Sequence, residues 1–154
     1  MAAAKKGPIK IGFIAPLSGF AAQTGKDMLA GLELYLKQQN YQVAGRKIVL
    51  ISEDTEAKPA VAMTKSRKLV EKDGVHVLIG GLMASTGYAL MPYVDQKKIP
   101  AIYCIMASDD LTQRERGKWT SGTFSANDRH FFSLSRRASS AFLKADNSFF
   151  SVTS

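Results

Sequence analysis

Apolar residues along the first two thirds of the chain gather in four short runs: Ile9–Ala15, Lys47–Ile51, Val75–Gly80 and Ala101–Ile105. Each is almost continuously aliphatic rather than alternating, the pattern of strands covered on both faces in a parallel sheet. The segments between them change to helical spacing. Met28, Leu29, Leu32, Tyr35 and Leu36 recur as one helical stripe. A second helix is predicted from about Pro59 to Lys72, with proline in the first turn, where its missing N–H costs nothing. Its stripe is Ala62, Ser66, Leu69 and Val70, and Asp73-Gly74 supplies the stop. A third runs from about Ser85 to Lys97 with Ala89, Leu90, Tyr93 and Val94 on one side. Strands alternating with helices predict an α/β fold. Right-handed crossovers make it a doubly wound parallel sheet, read here in the flavodoxin-like strand order 2-1-3-4.

Such sheets bind ligands beyond the carboxyl ends of the strands, where strand order reverses. Here the loops after the first and third strands flank that point: Pro16 to Gly25, and Gly80 to Gly87. Both are rich in glycine and hydroxyl residues, and both run into a helix start. Glycine allows close backbone approach, and a helix N-terminus offers N–H groups to a carboxylate or phosphate. The competing account is purely structural: Ser18, Ser85 and Thr86 cap helices, and Gly80-Gly81 makes a turn.

Composition narrows the function. The 154 residues are 45% hydrophobic and 22% charged, ordinary values for one globular domain. The net charge of +8 raises nucleic acid as a partner, but the lysines and arginines are scattered without aromatic platforms, so none is expected. A single cysteine, Cys104, excludes an intramolecular disulfide and the cysteine-rich zinc motifs. No apolar run approaches the ~20 residues of a membrane-spanning helix. Residues 1–8 contain no signal-peptide core, so they are a leader remnant or a flexible N-terminus.

Catalytic chemistry finds few convergent groups. His76 lies in a predicted strand, where it reads as a packed or edge residue; His130 lies near the C-terminus. Cys104 has no histidine recognisably placed to activate it and reads as a small buried side chain. Glu53-Asp54 are neighbours that a strand would point to opposite faces, and Asp109-Asp110 read as a helix cap. Neither G-x-x-x-x-G-K-[ST] nor G-x-G-x-x-G occurs. No catalytic residue, metal or cofactor is expected.

The order of these pieces is itself distinctive. Ile9 to Gly19, then Gly25 and Gly31, resembles the opening of type 1 periplasmic binding proteins, in particular the branched-chain amino-acid and aromatic-acid solute-binding proteins of ABC importers. The resemblance continues through Val43 to Asp54, Pro59, Leu69-Val70, Gly80-Gly81, Ile99-Pro100-Ala101 and Ala107 to Arg114. It implies two αβ lobes closing on a small molecule, of which residues 9–118 are part of the N-terminal lobe, and docking on a membrane ABC permease. It implies a periplasmic location. The loop after the third strand, Met83, Ala84 and Ser85, would hold the ligand's carboxylate. Ile105, Met106 and Ala107 would follow from the fourth strand, and Ser18 and Phe20 from the first loop. In amino-acid-binding relatives the position of Ala107 offers a hydroxyl. Alanine there, with apolar Met83, Ile105 and Met106, favours an aromatic or branched carboxylate over a free amino acid.

The composition shifts after residue 118. Residues 119–154 hold 9 Ser and 6 Phe, against 5 Ser and 2 Phe in residues 1–118. This marks an atypical tail: a truncated, frameshifted or fused end to the lobe, or alternatively a closing helix and strand around Phe131-Phe132 and Phe149-Phe150. One wall of a cleft implies very weak ligand binding by the isolated chain and a tendency to self-associate. The leading expectation is an importer's solute-binding component. The alternative is a cytoplasmic ligand-sensing domain of the same fold, and an enzyme of that architecture comes third.

Overall fold

The computed structural model describes residues 7–106, 108, 111 and 117–122. At its centre is β1, Ile9–Ala15, of which only Lys10 is not buried. Parallel partners lie on both sides: β3, Arg46–Asp54, pairs Ile9 with Ile48 through Ala15 with Asp54, and β4, Val77–Gly80, pairs Val77 with Ile11. Outward from β4 follow β5, Ala101–Tyr103, and β6, Thr120–Gly122, both parallel. A two-residue strand β2, Gln42–Val43, closes the other edge antiparallel to β3. The order is β2-β3-β1-β4-β5-β6, so the four predicted strands stand in the predicted order. The β2–β3 hairpin was not expected. Its turn residues Ala44 and Gly45 both have positive φ, as a two-residue hairpin loop requires, but Ala-Gly is a weaker signal than Asn-Gly.

Side-chain alternation divides the sheet's two faces between the helices. On one face Ile9, Ile11 and Ile48 pack with Leu36 of α1, Ala22–Gln38. Leu32, one turn before Leu36, joins them, whereas Tyr35 is 59% exposed. Tyr35 therefore leaves the predicted stripe, because a residue adjacent to Leu36 is rotated about 100° around the axis. The other face carries the larger core. Leu78, Ala101 and Tyr103 meet Leu90, Tyr93 and Val94 of α3, Ala84–Lys97, and Leu69 beyond α2, Pro59–Arg67. The predicted stripe of α2 holds, with Ala62, Ser66 and Leu69 fully buried. Past Arg67 the helix widens into π-type turns over Lys68–Asp73 and stops at Gly74, whose φ of 66° is left-handed.

β6 lies beyond residue 118, so the first residues of the serine- and phenylalanine-rich segment are part of the sheet. The expectations placed on Ala107, Asp109-Asp110, His130 and the later phenylalanine pairs fall outside the described residues.

Candidate functional site

In the sheet β1 stands between β3 and β4, and the carboxyl ends of β1 and β4 carry the two loops singled out by composition. At the second loop two backbones touch. The Gly81 N–H donates to the Ile14 carbonyl at 2.7 Å. A Cβ on Gly80, where φ is +120°, would lie 2.2 Å from that same oxygen. Only glycine permits this approach. It sets the start of α3 beside the end of β1. Met83 is the extended N-cap residue of α3, and its carbonyl accepts from Thr86 and Gly87 at 3.0 and 3.3 Å. No side chain caps the helix, so Ser85 and Thr86 are not its caps. Ser85 is exposed, Met83 and Ala84 are half-buried, and Thr86 is buried. The N–H groups of Ala84 and Ser85 precede the first intrahelical bond and suit an anion.

The first loop is built differently. Its base is tight: a Cβ on Gly25 would lie 1.8 Å from the Pro16 carbonyl. Its tip is open, with nothing within 4 Å of a Cβ on Gly19 and with Phe20 86% exposed. No side chain caps α1 either, so Ser18 is not a helix cap. Instead its hydroxyl bonds to Asp54 at the end of β3. Asp54 Oδ1 also accepts from the N–H groups of Leu17 and Glu56, each at 2.8 Å. Burial pushes the Asp54 pKa up, but the Ser18 hydroxyl and the N–H groups of Glu56, Leu17 and Ser18 outweigh it and hold the group below its ordinary value.

A third segment follows β5. Cys104 donates its N–H to the Gly80 carbonyl at 3.0 Å, tying this segment to the glycine turn. Ile105 is half-buried. Met106 is 3% exposed, its side chain lying against Gly81 and Gly87, so close that a Cβ there would come within 2.0 Å of Cε and 2.5 Å of Sδ. Its place is the packed floor under the second loop rather than an open wall. Farther along, the Ser108 hydroxyl meets the Tyr88 hydroxyl at 2.6 Å, joining this segment to α3.

Of the eight expected site residues, the seven that lie among the described ones stand at one end of the sheet: Ser18, Phe20, Met83, Ala84, Ser85, Ile105 and, buried beneath the second loop, Met106. Asp54 and Tyr88, which no sequence motif singles out, stand at the same end. Tyr88 lies one helical turn beyond Ala84, a spacing that places both on one face of α3. In the sequence Asp54 reads as half of an acidic pair, and the pair diverges: Glu53 turns to Lys65, at 2.8 Å, and to Lys68. The groups declined for catalysis are otherwise engaged. Exposed His76 accepts the Lys10 N–H through Nδ1 at 3.1 Å, and burial pushes the half-buried Cys104 thiol's pKa up, which disfavours the thiolate. Among the described residues no acidic, histidine or cysteine cluster could hold a metal, and no helix is long and apolar enough to cross a membrane.

A sequence model of the family described as "Periplasmic binding protein" matches residues 8–149, beyond residue 118 and over most of the segment set apart by composition. The chain is 27% identical over 107 residues to Leu/Ile/Val-binding protein homolog 6 of Brucella abortus, covering 69% of this chain and 27% of that protein. Among solved structures it is similar to an ABC transporter substrate-binding protein from Sphaerobacter thermophilus, with a TM-score of 0.74 at 27% identity. That alignment covers 91% of this chain and 44% of the other. It is also similar to a solute-binding protein of an ABC transporter from Rhodopseudomonas palustris, solved with 3,4-dihydroxybenzoic acid. There the TM-score is 0.71 at 30% identity, over 75% of this chain and 31% of the other. The chain spans about a quarter of the length of the curated relative and less than half of each of these structures.

Proposed function

The chain belongs to the periplasmic binding protein family, and we propose that it supplies one ligand-binding wall of an ABC importer's solute-binding protein, specific for a small aromatic or branched carboxylate. The family is one of solute-binding proteins rather than enzymes. The observation that carries the reading is the uncapped start of α3, set beside the β1 loop by the Gly80-Gly81 turn. The N–H groups of Ala84 and Ser85 and the Ser85 hydroxyl would receive the carboxylate, as at other helix N-termini. Met83 and Ile105, both half-buried, would meet the ligand's apolar body, with Met106 as the floor. Ser18 and exposed Phe20 would close one side, and Ala107 would extend the wall after β5. The protein would act in the periplasm and deliver its ligand to a membrane permease.

The ligand class is supported by the dihydroxybenzoic acid in the Rhodopseudomonas relative and by the apolar character of Met83 and Ile105. The name of the Brucella relative supports the branched aliphatic side of the proposal. A wall without its opposing surface holds a small ligand weakly, because burial on both sides supplies most contacts. An NMR titration of the full 154-residue chain with benzoate and with L-leucine, to tens of millimolar, is the direct test. Benzoate should shift the Ala84 and Ser85 amide resonances saturably, and at lower concentration than leucine. A leucine preference would overturn the ligand class; no movement of either amide with either probe would overturn the site.

A further inference from the structure

The loop after β3 takes no part in the wall, yet it is bound to it. Glu56 and Ala57, neither a glycine, both adopt left-handed backbone, with φ of 51° and 55°. Two such residues in succession are costly and persist where surroundings enforce them. The Asp54 carboxylate is one of the groups that hold this turn, beside the Lys58 N–H bond to the Thr55 carbonyl at 2.8 Å. One oxygen, Oδ1, accepts the Glu56 N–H within its own loop and the Leu17 N–H from the β1 loop, both at 2.8 Å. The Ser18 hydroxyl and N–H add further bonds to the same carboxylate. Among the described residues the β1 loop otherwise has short local bonds, the Ala22 N–H to the Gly19 carbonyl and the Gly25 N–H to the Ala21 carbonyl, each at 3.2 Å, and its tip carries exposed Phe20. Backbone register reaches no farther than the strand ends, where Thr55 N–H meets the Ala15 carbonyl at 2.9 Å.

Resting on the solute-binding reading above, we propose that Asp54 is a positioning residue: by bracing the β1 loop against the β3 loop it holds Ser18 and Phe20 in place for the ligand, without touching the ligand itself. A charged acceptor suits the task, since bonds from N–H to a carboxylate are shorter and stronger than those to a neutral carbonyl. Ser18 lies three residues before the α1 N-cap, Ala21, and has no helix-capping duty. Its hydroxyl is oriented by Asp54 rather than by α1.

Amide hydrogen exchange and benzoate titration of the full chain, as wild type, Asp54→Ala and Asp54→Asn, test this. Asp54→Ala should speed exchange at Leu17, Ser18 and Glu56 by tenfold or more while Phe13 and Leu78 in the core keep wild-type protection. Benzoate affinity should fall about tenfold. Asn retains a carbonyl at Oδ1, so it should restore protection at Leu17 and Glu56, and part of the affinity. Unchanged exchange at Leu17 and Glu56 in the Ala variant, or failure of Asn to restore it, would overturn the brace. Deprotected amides with unchanged affinity would overturn the positioning role alone. Wild type that shifts with neither benzoate nor leucine would instead overturn the solute-binding reading and the positioning role that rests on it; the exchange arm would still judge the brace.

Discussion

The two loops that flank the strand-order reversal are fixed by opposite means. The turn after β4 is held by backbone: Gly80 passes so near the Ile14 carbonyl that no side chain could be added, and the Gly81 N–H donates to that same carbonyl. The loop after β1 is clamped only at its base, by Gly25 on the Pro16 carbonyl, and farther out by one carboxylate. The first arrangement resists deformation because packed backbones have no alternative position. The second can open if a few hydrogen bonds to that carboxylate are lost, each contributing about 1.5–3 kcal/mol net. A binding wall with one rigid jaw and one tethered jaw gives a fixed anion seat and an adjustable apolar rim. Substitutions in the two loops should therefore separate global stability from local order.

The largest effect is expected at the rigid jaw. Gly80→Ala puts a Cβ 2.2 Å from the Ile14 carbonyl in a backbone region L-residues rarely adopt. Neither β1 nor β4 can retreat without breaking the central pairing, so the loss should be on the order of 4 kcal/mol in urea unfolding. A loss under about 1 kcal/mol would show that the jaw yields. Met106→Ala comes next, at about 2–4 kcal/mol, the usual cost of truncating a buried methionine. Here the obstruction is the end of a flexible side chain, which sharpens the comparison. Gly81→Ala, which alone clashes with Met106 Cε, should cost less in the Met106→Ala background than in the wild type. Strict additivity would mean that the two do not share the space.

How much of this could be read from the sequence depends on whether information was local. The bounds of β1 are legible because its nearly continuous apolar residues admit few other fates, and the order of four strands matches the flavodoxin-like arrangement expected of alternating strands and helices. The glycine-rich turn was legible as a close approach, though not what it approached. By contrast, the depth of Met106 is not legible, since an exposed and a buried methionine have the same letter; the contacts with Gly81 and Gly87 place it beneath the second loop. Asp54 was passed over for a similar reason. Its donors, Leu17 and Ser18, lie 37 and 36 residues away, a proximity created by the β1–β3 pairing and absent from any local motif. The hairpin at Ala44-Gly45 escaped because its strand partner β2 is two exposed residues, too short for any periodicity.

The tethered jaw should respond more gently. Gly19 has a φ of +76° but open space around it, so Gly19→Ala meets conformational strain alone, roughly 1 kcal/mol. Asp54 adds a dependence on acidity with a definite sign. Its folded pKa is lowered, so the folded state binds that proton less readily than the unfolded chain does. Its contribution is present above the ordinary aspartate value of about 4 and fades as the pH falls through the lower folded value. Exchange at Leu17 and Glu56 should accelerate on acidification below about pH 4, after correction for the intrinsic rate, before Phe13 or Leu78 responds. Simultaneous loss at all four would show that the loop has no separate opening.

The smallest effect on stability belongs to Ser85, and it returns to the rigid jaw. Ser85 is exposed in the first turn of α3, while Met83 is the N-cap and no side-chain cap is made. Removing its hydroxyl therefore leaves no helix N–H newly unsatisfied, and alanine is the better helix former. Ser85→Ala should change unfolding free energy by no more than about 0.5 kcal/mol. Its effect on binding should be of another order. A hydroxyl donating to a carboxylate contributes about 1.5–3 kcal/mol, so benzoate affinity should fall by roughly tenfold or more. The backbone N–H groups of Ala84 and Ser85 remain, so binding should weaken rather than vanish. A cap would give the reverse pattern, with stability falling by about 1 kcal/mol and affinity unmoved. Measuring both quantities on this one variant separates an anion seat from a helix start.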